Sequence, residues 1–272
     1  MCVRRFQTRS NMSIVAITLL AGVIGVLAGG LVNACLLRTR DGLAFTFGRK
    51  KCVTCARPMA IADHVPVISY LRLKGKCRRC SSVIPWQYVA VEVAMGVLFA
   101  AFAYRAATDG NLPEFVSVYP WHTERLALFI RDAIMAMLLI PIFMFDYRAS
   151  VIPDRLSIPA VIIALLMNVA MGADVNNLLL GGLGIGSFFA VQFLASRGTW
   201  VGGGDIRMGL LIGFLLGFEL GLVALLLSYV FGSIAGMYLI LSGKRDMHSH
   251  VPFGTFLVLG TFVAMFEVLA LF

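Results

Sequence analysis

Gly202 to Leu241 reads GGGDIRMGLLIGFLLGFELGLVALLLSYVFGSIAGMYLIL, with charges only at Asp205, Arg207 and Glu219. A membrane-spanning helix needs about 20 mostly apolar residues. The stretch therefore holds two helices, near 206–219 and 221–241, with the weakest break of the chain between Gly217 and Gly221. The same ruler gives helices near 13–37, 86–105, 126–146, 157–172, 178–196 and 251–272. That is about eight spans, within a range of seven to nine. Composition agrees. Of 272 residues, 60% are hydrophobic and 14% charged, with mean hydropathy +0.89, whereas a soluble domain carries roughly 25% charged residues. The apolar side chains must face lipid, and the expected fold class is an all-α polytopic membrane protein.

Charge is concentrated in one place. Residues 38–85 hold eleven Lys and Arg and two acids, a net +9 that equals the charge of the whole chain. Three parts follow: 1–37 as a first transmembrane helix, 38–85 as a basic insert, and 86–272 as a transmembrane bundle. A charge run of this kind reads as a solvated loop held near anionic phospholipid headgroups; no nucleic acid is expected as a partner. Lys and Arg in short loops favour the cytoplasm. Eight alternating spans with a cytoplasmic insert place seventeen basic residues on that side and six on the other, so both termini are expected outside the cytoplasm. Arg4 and Arg5 before an apolar stretch resemble a signal peptide, and Val32-Asn33-Ala34-Cys35 faintly resembles a lipoprotein cleavage site. Cleavage there would export the insert, against the charge bias.

Gly25/Gly29, Gly182/Gly186 and Gly209/Gly213/Gly217 recur every four residues, the spacing that lets helix backbones approach closely in lipid. They read as packing faces. Asn33 is expected to hydrogen-bond between helices.

The insert carries Cys52-Val-Thr-Cys55 and Cys77-Arg-Arg-Cys80. Each pair can present two thiolates from a tight turn, and two such turns complete a tetrahedral Zn(Cys)₄ site. Neighbouring cations favour the thiolate. A disulfide or redox pair is the alternative, disfavoured in a reducing cytoplasm. Four thiolates leave no open position for water, so zinc here is structural.

Asp146 ends the run Leu138-Leu-Ile-Pro-Ile-Phe-Met-Phe145, and Asp205 follows Gly202-Gly203-Gly204. Each alone could pair with the arginine two residues on, Arg148 or Arg207, and mark a helix end. Together they fall at the same edge of the membrane, on separate helices. Two carboxylates in a partly dry site cannot both ionise easily. Such a dyad holds one proton, so one member takes a proton from water while the other donates one to a carbonyl oxygen. This is the chemistry of aspartic peptide hydrolysis. Glycines before Asp205 would let the backbone approach an extended peptide closely, which makes Gly202, Gly203 and Gly204 candidate substrate-binding residues.

At these residues the chain resembles a known family. Asp146-Tyr-Arg-Ala-Ser-Val-Ile-Pro-Asp154 and Gly202-Gly-Gly-Asp205 look like the paired motifs of type IV prepilin peptidases, intramembrane aspartic proteases that share the GxGD signature with presenilins. Also similar are Gly29-Gly-Leu-Val-Asn33 with Arg38, the two Cys pairs, and the stretch from His64 to Lys76. Ile84-Pro-Trp-Gln-Tyr-Val-Ala-Val-Glu92 and Val251-Pro-Phe-Gly254 complete the match, which runs from about residue 25 to 260. The resemblance implies cleavage of the basic leader of type IV prepilins or type II secretion pseudopilins at the cytoplasmic face of the bacterial inner membrane, with Asp146 and Asp205 as the catalytic pair. It also implies N-methylation of the new amino terminus with S-adenosylmethionine in members that carry the four cysteines. Two departures stand out: Ser81-Ser82 follows Cys80 where a glycine is common, and Gly203 replaces a frequent aromatic.

Other residues read more plainly. Asp154, after Pro153, suits a helix N-cap. Glu92 is a buried structural partner or part of a methyl-transfer pocket. No His-Glu-x-x-His or Gly-x-Ser-x-Gly supports a zinc or serine protease. The insert's own +9 would repel a basic leader, so lipid contact is expected of it. Rival readings are a proton-coupled transporter, which would place its acids near mid-membrane, and a zinc-bearing assembly factor indifferent to loss of both aspartates.

Overall fold

The computed structural model describes residues 2–40, 54–55, 66–108, 121–243 and 252–266. Its regular elements among these residues are helices: α1 (Cys2–Arg40), α2 (Ile68–Arg72), α3 (Gln87–Thr108), α4 (Trp121–Ala149), α5 (Asp154–Ala170), α6 (Val175–Ala195), α7 (Gly203–Leu241) and α8 (Phe253–Met265). The one strand-like feature among them is an isolated antiparallel bridge between Lys76 and Val83. Five helices are long and apolar enough to cross a membrane: Ile14–Leu36 within α1, α3, Arg125–Ala149 within α4, α6, and α7. Large apolar side chains such as Leu19, Leu20, Leu180, Leu183 and Val191 lie on the outside. In water such a surface would drive aggregation; in lipid it is the solvated face.

The chain divides into two compact units, residues 1–109 and 110–272. In the first, α1 packs along α3 through small residues on both sides. A Cβ added at Gly29 would sit 2.7 Å from Glu92 Cα, and one at Gly96 would sit 2.6 Å from Val26 Cγ2. The backbones thus approach as closely as the glycine spacing implies. Asn33 crosses the interface as expected, its Nδ2 donating to the Tyr88 carbonyl at 2.7 Å and to Glu92 Oε1 at 3.3 Å. Glu92 is buried and its Oε2 accepts the Val67 N–H at 2.8 Å.

In the second unit α7 is central, packed against α5, α6 and α8, while α4 packs against α5 and α8. The glycine stripes are the α6–α7 contact: a Cβ at Gly186 would meet Leu210 Cδ2 at 2.8 Å, and one at Gly209 the Ile185 carbonyl at 2.9 Å. Gly217 is different. Its φ of 77° and ψ of −170° break α7, a conformation that glycine alone adopts without strain. A Cβ at Gly221 would lie only 3.6 Å from Gly213 Cα, although eight residues of straight helix span about 12 Å. The chain therefore folds back on itself, and α7 is two helices, 203–216 and 218–241, joined at one residue.

A break inside a membrane frees backbone groups that lipid cannot satisfy. Here neighbouring side chains take them. Asn168 Nδ2 donates to the Phe214 and Leu215 carbonyls at 2.6 and 2.9 Å, and Asn177 Oδ1 accepts the Phe218 N–H at 2.7 Å. Asn168 is in turn held by Arg131 Nη1 at 2.9 Å, and Arg131 pairs with Asp132 at 2.8 Å. All three side chains are buried. The ion pair and the amide form one connected polar network, the condition under which buried charges are tolerated.

Candidate active site

Asp146 lies three residues before the end of α4, which stops where Ser150 turns to a φ of 50° and its N–H returns to the Asp146 carbonyl at 2.7 Å. Ile152 and Pro153 follow and lead into α5. Asp205 sits in the first turn of α7, behind the N-cap Gly202. Both carboxylates are buried, with 4% and 8% of their surface exposed.

Each is fastened to the start of a helix. Thr255, in the first turn of α8, donates both its N–H (2.5 Å) and its Oγ1 hydroxyl (3.0 Å) to Asp146 Oδ2. Asp205 Oδ2 accepts the Gly202 N–H at 2.9 Å. The first N–H groups of a helix have no intrahelical partner, and the helix dipole favours an anion there. The ends of α7 and α8 thus supply ready-made holders for two acids.

Ile152 joins the two holders. A Cβ at Gly204 would lie 2.8 Å from Ile152 Cβ and 3.0 Å from its Cδ1; a Cβ at Gly254 would lie 2.8 Å from the same Cδ1 and 2.9 Å from Asp146 Cγ. The first turns of α7 and α8 close on one buried isoleucine. The two acids, 59 positions apart in the chain, are brought to one site.

The arginine two residues after Asp205 does not pair with it. Arg207 turns to Asp154, 2.5 Å from Nη2 to Oδ1, and also donates to Ser157 Oγ at 3.0 Å and the Ile152 carbonyl at 3.2 Å. Asp154 is accordingly not the N-cap of α5. Pro153, extended at φ −67° and ψ 131°, takes that position without a side-chain cap, and Asp154 stands in the first turn, facing Arg207.

Of the three glycines, Gly202 caps α7 and Gly204 needs its missing side chain to clear Ile152. A Cβ at Gly203 would meet nothing within 4 Å, so this position looks onto open space. Tyr229, from the second half of α7, packs against the first turn of α8 that holds Asp146. Its ring packs 4.9 Å from Phe253, which also meets Phe189 at 6.2 Å. Thr255 and Tyr229 were not singled out from sequence, and Ile152 and Gly254 entered only as members of the family motifs. The signal present was Pro252 ahead of an apolar run, since a proline at a helix start leaves the following N–H groups to be capped by another part of the chain.

In the first unit, Cys55, Cys77 and Cys80 bring their sulfur atoms within 4.8 Å of one another. Cys52, the expected fourth ligand, lies outside the described residues. Three thiols converging from two turns could hold a soft metal ion. Ser81, directly after Cys80, has φ 55°, and its N–H bonds to the Cys77 carbonyl at 2.9 Å. That left-handed turn is why a glycine is at home there.

Comparison with known proteins places both units in sequence families. Residues 23–106 match the model of the bacterial peptidase A24 N-terminal domain, and residues 133–237 that of the type IV leader peptidase family; together they span well over half of the chain. The second match contains both aspartates. Similar proteins include the prepilin leader peptidase/N-methyltransferase of Pseudomonas putida, 24% identical over 273 residues and covering 90% of this chain and 89% of the relative. The protein of that name from Bacillus subtilis is 26% identical over 244 residues, covering 89% and 91%. One from Aeromonas salmonicida is 27% identical over 222 residues, covering 80% and 70%. No solved structure matches the chain. With both matches falling on the two units just described, and the second enclosing the paired acids, the chain belongs to the type IV leader peptidase family and is a membrane-embedded protease.

Proposed function

We propose that the protein is an aspartic endopeptidase that removes the basic leader from type IV prepilins or type II secretion pseudopilins, with Asp146 and Asp205 as its catalytic pair. The observation that supports this best is the meeting of both carboxylates around Ile152 at the starts of α7 and α8. A water between them loses a proton to the ionised carboxylate as its oxygen attacks the scissile carbonyl carbon, while the protonated partner gives its proton to the carbonyl oxygen. Collapse of the tetrahedral intermediate breaks the C–N bond, and the proton taken from water passes to the departing amine. Gly202, Gly203 and Gly204 border the place where an extended substrate backbone would lie, with the Gly203 face open to receive it.

The same reading sets the chain in the bacterial inner membrane with about eight spans, the 38–85 insert cytoplasmic against anionic phospholipid, and the aspartates at the cytoplasmic face. Cys52, Cys55, Cys77 and Cys80 would hold a structural zinc ion that fixes the turns of the insert. The relatives are also named N-methyltransferases. That activity would consume S-adenosylmethionine and act on the amino group released by cleavage, and it rests here on similarity alone.

The test is cleavage of a prepilin in membranes by the wild type, Asp146→Asn and Asp205→Asn. Asn keeps the shape and cannot exchange the proton. Loss of the peptide product in both variants is expected; retained cleavage in either removes the dyad.

A further inference from the structure

We propose that Thr255 is the positioning residue of Asp146, and that the two aspartates exchange protons only through their Oδ1 atoms. The proposal rests on the reading of Asp146 and Asp205 as the reacting pair and adds which edge of each reacts and what holds it there.

In both carboxylates Oδ2 is occupied. At Asp146 it receives the N–H and the hydroxyl of Thr255, and at Asp205 the N–H of Gly202. An oxygen whose lone pairs point at donors of this kind is poorly placed to take or give a proton. The Oδ1 atoms carry no such bond among the described residues. Nor are they sealed in: the buried side-chain polar atoms without a partner there are Thr18 Oγ1, Asn33 Oδ1 and Arg125 Nε. Each Oδ1 therefore faces accessible space, where a water can reach it.

Terminal carboxylate torsions are broad and nearly two-fold, so an unheld aspartate exchanges its two oxygens freely. Gly202 holds Asp205 from within its own helix turn. Asp146 stands at the far end of α4 and has no such neighbour; its hold comes from Thr255, 109 positions away and itself buried. The Thr255 backbone N–H and hydroxyl both reach the same oxygen, Oδ2, from two directions, which holds that oxygen in place and with it the rotation of the carboxylate about Cβ–Cγ.

Thr255→Val keeps the shape and the backbone N–H and removes the hydroxyl donor. In the full-length enzyme cleaving a prepilin, kcat should fall about tenfold or more, with KM within about twofold, because the lost hydrogen bond orients a reacting group rather than binding substrate. Thr255→Ser, which restores the hydroxyl, should recover most of the wild-type kcat. A wild-type kcat in Thr255→Val, a rise in KM that accounts for the loss, or no recovery in Thr255→Ser overturns the proposal. Thr255→Ala gives the same comparison with a smaller side chain. If Val and Ala both fail to fold while Ser folds, Thr255 is structural and the proposal falls as well. Asp146→Asn in the same assay separates the two levels: an inactive Asp146→Asn beside a fully active Thr255→Val leaves the dyad standing and removes only Thr255. An active Asp146→Asn removes the dyad itself.

Discussion

Arg207 pairs with Asp154 rather than with Asp205, two residues before it on the same helix. Residues at i and i+2 project from different sides of a helix, so the cation and the acid of this motif point to different neighbours. Arg207 ties the start of α5 to the start of α7 through Asp154, Ser157 and the Ile152 carbonyl. The ion pair itself is largely solvated, with the Asp154 side chain 65% exposed. Asp154→Asn should therefore lower stability by no more than about 1 kcal/mol. Arg207→Ala, which also drops the bonds to Ser157 and Ile152, should lower it further, by about 1–2 kcal/mol. Thermal unfolding in detergent reads both. Equal effects of the two variants would show that the bonds to Ser157 and the Ile152 carbonyl contribute nothing.

Glycines near the site are expected to separate by what surrounds them. Gly254→Ala would place a methyl 2.9 Å from Asp146 Cγ and 2.8 Å from Ile152 Cδ1. A shift of about 1 Å at a reacting group is enough for roughly a hundredfold loss, so cleavage should nearly vanish while the helices remain.

Gly203→Ala should fold normally, since nothing stands within 4 Å of the added carbon. If that open face receives substrate, KM rises with kcat little changed. A wild-type KM would remove Gly203 from the substrate path.

Asn168 makes three buried hydrogen bonds, two to the carbonyls freed at Gly217 and one from Arg131. Asn168→Leu orphans all of these partners at once, which should destabilise the second unit by about 3 kcal/mol or more. Asn177→Leu removes a single, more exposed bond and should cost about 1 kcal/mol. The ratio of the two losses, measured by thermal unfolding, checks whether the turn depends on the buried network.

Ser81 holds a left-handed φ of 55° between Cys80 and Val83. Such a backbone costs a residue with a side chain roughly 1–2 kcal/mol, and glycine close to nothing. Ser81→Gly should slow zinc loss to a chelator by about fivefold or more, and a Cys77→Ser variant should lose the metal outright. Zinc content by elemental analysis after dialysis against chelator is the measurement.

Sequence carried the elements that repeat or cluster. Apolar runs located the helices, four-residue glycine spacing located their contacts, and the break near Gly217 was visible as a glycine pair in a run too long for one span. Asp146 and Asp205 were legible because acids are costly in or beside long apolar runs and therefore few. What did not show was pairing through space. Thr255 is an unremarkable threonine until α8 is laid against the end of α4, and Arg207 looks like the natural partner of Asp205 until α5 presents Asp154. Asp154 itself read as a cap because proline before an acid suits one; the extended Pro153 took the position instead.

The fold-back at Gly217 has a geometric consequence for the acid at the other end of that helix. Residues 203–216 make a rod of about 21 Å, shorter than the hydrocarbon thickness of roughly 30 Å. Its lower tip is pinned by Asn168. The rod then works as a spacer whose residue number fixes how deep, and in which direction, Asp205 is presented. One residue added between 206 and 216 would raise the carboxylate by about 1.5 Å and swing it by about 100°, away from its counterpart, without altering a single side chain at the site.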